Sequence, residues 1–329
     1  MKIKIIFFIC LFQGTAFAQN YQRYAQMNFS QAVLNPAALA IDAEYQVDLM
    51  FRNQWYQFEG APTTFAASAQ YELDFDMAIG LNFQHDRIGA YQSNSVSAQY
   101  AYRAHFDNSN ALIFGVGLGL ETKTSDFSSA LLNDAGDPAF AQSYTKAFFN
   151  SSIGIYYYSP MFYIGASVPQ MFQTNFIENP GFTNDTRFRI SEWHYYASTG
   201  LYLEAGDNYT FNPNLQVKLV NGAPIQGDLT LRNTFYGRFS IVAGFSSEIA
   251  VIAGVDMMIT PFLRAGYSYN HSVGDLSRIT GMTNEFHIGC GLPYRNSRHD
   301  FGKRIYLNRK GGFAREHKRN SRRKNKRRR

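Results

Sequence analysis

Acid–base chemistry near neutral pH would have to be built from His85, His105, His194, His271, His287, His299 and His317. A serine hydrolase needs a Ser activated by a His, with a third group orienting the base. On one face of an extended strand the first two would read His-x-Ser, and no such triplet occurs. His194 and Ser198 share a face but lie too far apart in a strand. Asn133-Asp134-Ala135-Gly136-Asp137 offers oxygen ligands of the kind calcium takes. Its spacing matches no defined calcium loop, so a plain turn is expected. The two cysteines, Cys10 and Cys290, cannot build a metal site. The sequence therefore points to no catalytic residue, no metal and no cofactor, and to a protein that is not an enzyme.

The densest chemistry is charge at the C-terminal end. Residues 295–329 hold 16 Lys/Arg against 2 Asp/Glu, while the whole chain is only +6. An acidic body thus carries a basic tail over 294–329, ending in Arg322-Arg323-Lys324 and Lys326-Arg327-Arg328-Arg329. Like charges repel, so the tail is expected to be disordered alone. Nucleic acid is the usual partner of such a run. The N-terminus argues against it. Lys2 and Lys4 precede the apolar run 5–12, and Ala16-Phe17-Ala18 forms a small-x-small site before Gln19. Residues 1–18 therefore read as an export signal. Anionic surfaces of the envelope fit the tail better: acidic proteins, lipid headgroups, at about 1 kcal/mol per basic residue, or the cell wall.

These groups need a scaffold, and the composition describes one. Apolar residues are 45%, aromatics 16% and charged residues 17%, with Tyr 22, Phe 29 and Gly 26. Disordered chains lack aromatics, so the body folds. No internal apolar run approaches the roughly 18 residues of a membrane helix. Instead, large apolar and small or polar residues alternate. Leu112, Phe114, Val116, Leu118 and Leu120 interleave with Ile113, Gly115, Gly117 and Gly119. Tyr45, Val47, Leu49 and Phe51 interleave with Gln46, Asp48 and Arg52, interrupted only by Met50. Period two means β-strand. One face is greasy, and the other is Gly, Ser, Asn, Gln and charge.

Fourteen such runs can be placed: 43–52, 64–73, 76–86, 94–104, 110–121, 147–158, 161–168, 191–204, 208–218, 226–233, 239–246, 249–256, 261–269 and 284–292. They run about 8–12 residues, the length that crosses a bilayer at a tilt. Closure satisfies every backbone polar group, which lipid cannot do. The expected fold is an all-β transmembrane antiparallel barrel of the outer membrane over 43–293, with the soluble sandwich as the weaker alternative. Even-numbered connections are short, such as Asp74-Phe75 and Ser159-Pro160. The odd ones include the long stretches 53–63, 87–93, 122–146, 169–190 and 270–283, with Ser247-Glu248 the exception. Short turns face the periplasm, so both termini are expected there. Tyr156-Tyr157-Tyr158, Trp193 with Tyr195, and Tyr267 with Tyr269 are expected as interfacial anchors. Cys290 falls on the greasy face. Residues 19–42 are too apolar for a free leader. They are expected to pack at the periplasmic mouth or to enter the lumen as a partial plug, with room left by Gly115, Gly117 and Gly119.

The pattern Arg52-x-Gln54-Trp55-x-x-Phe58-x-Gly60-Ala61-Pro62-x-Thr64 resembles the first-loop signature of the PorP/SprF family, outer-membrane proteins of the type IX secretion system of Bacteroidetes. Asn35-Pro36-Ala37 resembles an element that precedes the first strand there. The family's glycine soon after that element is missing, and Ala38-Leu39-Ala40 follows. The basic tail is a second departure from the family pattern, in which many members end at or near the last strand. The resemblance implies a non-enzymatic component of a secretion and gliding apparatus. Its implied partners are periplasmic ring lipoproteins and a secreted cargo or adhesin.

Gly60 permits positive φ, while Pro62 fixes its own φ and restricts Ala61. Trp55 and Phe58 thus sit on a rigid tip that either docks cargo or packs at the rim. Arg52 is expected to pair with a lumenal acid, from Asp48, Glu72 or Glu285. The candidate partner-binding residues are Asn35, Pro36, Arg52, Gln54, Trp55, Phe58, Gly60 and Pro62, with Arg322, Arg323, Lys324, Arg327, Arg328 and Arg329 of the tail. The rival function is a porin or hydrophobic-solute channel.

Overall fold

Alternation along each strand forces a two-faced wall, and the ends of that wall meet. The computed structural model describes residues 31–41, 43–56, 58–73, 76–107, 109–126, 143–174, 186–188, 190, 193–206, 208–247, 250–273 and 282–292. The first strands are β1 (Tyr45–Asn53), β2 (Thr63–Leu73), β3 (Met77–Ile88), β4 (Tyr91–His105), β5 (Ala111–Ser125), β6 (Tyr144–Tyr158) and β7 (Phe162–Val168). A separate hairpin follows, β8 (Phe172–Thr174) with β9 (Thr186–Phe188). The next stave of the wall is split into β10 (His194–Leu201) and β11 (Leu203–Ala205). The rest are β12 (Tyr209–Val220), β13 (Gln226–Phe235), β14 (Phe239–Ser246), β15 (Ala250–Met258), β16 (Leu263–Ser272) and β17 (Met282–Leu292). Each wall strand pairs antiparallel with its neighbours in sequence, β10 joins β7 to β12, and β1 pairs with β17 from Tyr45 opposite Leu292 to Asn53 opposite Asn284. The result is a closed barrel of 14 staves, with no edge to expose.

The burial pattern is the inverse of a soluble protein's. In β1, Tyr45, Val47, Leu49 and Phe51 are exposed while Gln46, Asp48 and Met50 are buried. In β5, Phe114, Val116, Leu118 and Leu120 point out. Apolar side chains outside and polar ones inside is the pattern of a strand wall bathed in lipid. No helix among the described residues is long and apolar enough to cross a membrane, which says nothing against strands. Ile288, midway along β17, is 51% exposed. Ile288→Arg should lower folding stability in phospholipid vesicles by about 2–4 kcal/mol, the penalty for a charge facing the bilayer midplane. The same change should cost far less in a soluble sandwich, so denaturant unfolding from vesicles tests the assignment.

Several expectations are corrected. Residues 87–93 are not a loop: the β3–β4 ladder continues to Ile88 opposite Tyr91 and turns at Gly89-Ala90, with Gly89 at φ 56°. Tyr156 and Tyr158 are not interfacial anchors. Three consecutive residues cannot share one face of a strand, and these two point inward while Tyr157 packs outside near Phe106 and Phe162. The 191–204 run breaks at Tyr202. The last β10–β12 rung is Gly200 opposite Asn214, and beyond it the Asn212 side-chain amide donates to the Leu201 carbonyl. The hairpin of β8 and β9 was not expected at all. At the β4–β5 turn, Asp107 accepts hydrogen bonds from the Ser109 backbone N–H and from the Asn110 side chain and backbone. These hold its carboxyl below the usual carboxylate range.

Connections at one end are the short stretches 74–76, 106–110, 159–161, 206–208, 236–238 and 259–262. The chain enters β1 and leaves β17 at that same end. Residues 31–41 lie inside the barrel as a strap. It carries two 3-10 turns, Gln31–Val33 and Pro36–Ala38. Residues 1–30 and 293–329 lie outside the described residues, and with them the export signal, the basic tail and its six candidate residues. Asn133 to Asp137 also lie outside.

Candidate functional site

The first-loop signature and the Asn-Pro-Ala element occupy different places, one on the long-connection rim and one in the lumen. At the rim, β1 and β2 are closed by Gln54 N–H donating to Pro62 O at 2.9 Å. Trp55 holds φ 56°, a left-handed value unusual for a bulky residue. Its N–H reaches Thr283 Oγ1 at 3.4 Å, and the Tyr56 N–H reaches Met282 O at 2.9 Å. On the other flank, Gly89 N–H donates to Gly60 O at 2.9 Å. Gly60, at φ 75°, allows this approach, since a Cβ there would lie 3.3 Å from the Gly89 Cα. The loop is thus tied down on both sides, to the start of β17 and to the β3–β4 turn. Its Tyr56 and Phe58 remain exposed, Phe58 at 57%.

Arg52 belongs to the interior. It pairs with Glu285 at 3.4 Å, one of the three acids anticipated for it. The other two have different partners: Asp48 pairs with Arg264 at 2.8 Å and Glu72 with Arg103 at 2.6 Å. A further pair joins Arg232 and Asp256 at 2.8 Å. Three of these four pairs line the wall from β13 through β17 to β1, all on inward-facing positions. Among the described residues no group of three or more His, Cys, Asp or Glu could hold a metal ion.

The opposite wall holds the strap. Strand register lines up Ala78, Ala101, Gly115, Gly154 and Ser167 as one row across β3 to β7. This row of small side chains leaves a shallow slot, and the turn Pro36–Ala38 lies in it. A Cβ on Gly115 would sit 2.2 Å from Ala37 N, and one on Gly154 would sit 2.0 Å from Asn35 Oδ1. Asn35 caps the turn by accepting from Ala37 N–H at 2.9 Å, and its amide donates to Ile155 O and Ala166 O. Ser167 donates to Leu34 O, while Asn82 and Gln99 both donate to Ala32 O. Arg103 donates to Leu39 O and Ala40 O, and Gln70 accepts from Ala40 N–H. Leu34 joins Met50, Ala66 and Tyr196 in one apolar cluster, linking β1 and β2 to β10 on the opposite side of the ring. The strap therefore crosses the lumen.

Asn35 and Pro36 are buried in this arrangement, and Gln54, Trp55, Phe58, Gly60 and Pro62 stand at the rim. Of the three glycines expected to make room inside, only Gly115 touches the strap. Gly117 accommodates Ser152 and Gln99, and Gly119 accommodates the β4 backbone. Arg103, Gln70, Asn82, Gln99 and Ser167 escaped the sequence reading. The signal was their polar character at inward parity, but parity alone does not say which inward residues a strap meets.

A closed antiparallel barrel, lipid-facing outside and polar within, is an outer-membrane protein of the β-barrel class. The chain belongs to the PorP/SprF family: the family described as "Type IX secretion system membrane protein PorP/SprF" matches residues 16–290. It is thereby associated with type IX secretion. No curated protein matches the chain. Among solved structures, Omp33 of Acinetobacter baumannii is 9% identical over 76% of this chain and 100% of its own, with a TM-score of 0.45. The toluene transporter TbuX of Ralstonia pickettii is 9% identical over 78% and 91%, with a TM-score of 0.46. A FadL homologue of Pseudomonas aeruginosa is 10% identical over 78% and 92%, also at 0.46. These are likenesses of barrel outline and carry nothing about function.

Proposed function

We propose that this protein is an accessory barrel of the type IX secretion and gliding apparatus, assisting the export or surface attachment of a specific cargo while its basic tail contacts the periplasmic ring. The observation that carries this reading is the family match over residues 16–290, nearly the whole barrel. Two physical features support it over a standing porin. The lumen is crossed by the strap and lined by paired charges. The rim loop is tied down on both flanks while offering Tyr56 and Phe58 outward, as a docking surface requires. Short connections face the periplasm in barrels of this class, and the reading takes the strand ends at Tyr45 and Leu292 to lie on that side by this rule. The tail then hangs where acidic ring proteins can bind it.

The test is a detergent-solubilised purification of the full-length chain beside a variant stopped after Tyr294, with copurifying proteins identified by mass spectrometry. Periplasmic ring lipoproteins or a large secreted adhesin should copurify with the full-length protein, and the ring proteins should fall away with the tail. If nothing specific copurifies and the purified protein conducts ions in planar bilayers, the porin reading replaces this one.

A further inference from the structure

The wall under the strap is mixed: Ala78, Ala101, Ile113, Tyr156, Tyr158 and Tyr163 form an apolar cluster with it, and polar side chains meet it alongside. Gln70, Asn82, Gln99, Arg103 and Ser167 all lie beneath residues 31–41 and are buried there. Between the strap and the wall, the described bonds each use a wall side chain or the Asn35 amide. The strap's own backbone bonds, from Leu34 and Asn35 to Gln31 O and from Ala38 to Asn35 O, stay within it. No strand ladder joins strap to wall among the described residues, so lifting the strap breaks no pair of staves.

Two features weigh against the seated state. Ala40 holds φ 48°, a left-handed conformation that crowds its Cβ. Asn82 and Gln99 both spend their amide N–H groups on the single carbonyl of Ala32, while Asn82 Oδ1 and Gln99 Oε1 are buried with no hydrogen bond in the protein. Water reaching the wall would satisfy both oxygens. The left-handed Ala40 and these two acceptors thus favour departure, against the apolar burial that seats the strap.

We propose that residues 31–41 are a releasable hatch, seated across the lumen at rest and withdrawn about Ala40 to open a passage through the barrel. The strap remains joined to β1 through residues 43–45, so it withdraws toward the short-connection mouth. The passage it uncovers runs between the mixed polar and aromatic wall of β2 to β7 and the ion-paired wall formed by β13 to β17. This inference is independent of the secretion reading, because it concerns what the lumen does rather than which proteins bind.

The experiment uses the full-length protein with Cys290→Ala, since Cys290 is exposed on the outer face, and a reporter Ala32→Cys, at a site 1% exposed. Labelling by a membrane-impermeant maleimide and single-channel conductance in planar bilayers are measured together. Asn35→Ala changes only the strap and removes its bonds to Ile155 O and Ala166 O together with its cap on the Ala37 N–H. It should speed labelling of the reporter about tenfold or more, as the loss of these three hydrogen bonds implies, and raise the open probability in parallel. Ala40→Gly should act oppositely, slowing labelling severalfold, because glycine holds a left-handed φ without strain. Fast labelling in the parent, or unchanged labelling in Asn35→Ala, overturns the seated hatch. Faster labelling without conductance overturns the passage. If Asn35→Ala yields no folded barrel by heat-modified gel mobility, Ser167→Ala, which loses the bond to Leu34 O, is read in the same way.

Discussion

Arg264→Ala should destabilise the barrel by about 3–5 kcal/mol, the cost of leaving a buried charge without its partner. The charge left behind is Asp48. Its Oδ1 accepts from Arg264 at 2.8 Å, its Oδ2 accepts from the Gln46 amide at 2.6 Å, and its side chain is 3% exposed. The pair fits because Gly289 lies beside it: a Cβ there would sit 2.4 Å from Arg264 Nε and 2.6 Å from Asp48 Oδ1. Denaturant unfolding from vesicles measures the loss. Arg264→Ala with Asp48→Asn should recover most of it, because the second change removes the stranded charge. A single-variant loss below about 1 kcal/mol would mean that water solvates Asp48, as it does at surface pairs.

Gly115→Ala is the second large effect. Its new Cβ meets Ala37 N at 2.2 Å and Pro36 C at 2.3 Å, and both are backbone atoms with no rotamer to change. The strap must shift bodily, at a cost of about 1–3 kcal/mol, as for other overpacked sites. Gly227→Ala is the matched control. Its nearest neighbour would be Gln216 O at 3.7 Å, an ordinary contact, so its stability should change by less than about 0.5 kcal/mol. Hydrogen exchange at the Ala38 amide, which donates to Asn35 O at 2.9 Å, should accelerate in Gly115→Ala and stay unchanged in the control. Equal stability losses at the two glycines would show that backbone entropy, not the slot, sets the penalty.

Much of the wall was legible before any coordinates. In β17, Phe286, Ile288 and Cys290 alternate with His287 and Gly289, and the first group points out while the second is buried. Closure followed from the same alternation, since a greasy wall in lipid cannot leave an edge. The errors fell where local pattern competes with turn chemistry. Residues 87–93 contain enough Gly and polar side chains to look like a loop, yet Gly89-Ala90 suffices to close the hairpin. Tyr156-Tyr157-Tyr158 looked like one aromatic group, but the pleat divides it. Tyr156 and Tyr163 stack inside with ring centroids 5.4 Å apart, beside the strap.

Alternation is a property of neighbouring residues, so the strands, their two faces and the polarity of the interior can be read from the chain alone. So can the left-handed tendency at Gly60 and the cap that Asn35 places before Pro36. Register is not local. Ala78, Ala101, Gly115, Gly154 and Ser167 are spread over five strands, and nothing in their spacing says that they form one slot. That row exists because each ladder settles in one register, and a slip of one residue would turn each of these side chains out to the lipid. The choice of Glu285 for Arg52, of Asp48 for Arg264 and of Ala32 O for both Asn82 and Gln99 depends on the same ladders. Each of these partnerships joins residues far apart in the chain: ring closure brings β1 against β17 and near β16, and the seating of the strap in the lumen brings Ala32 to β3 and β4.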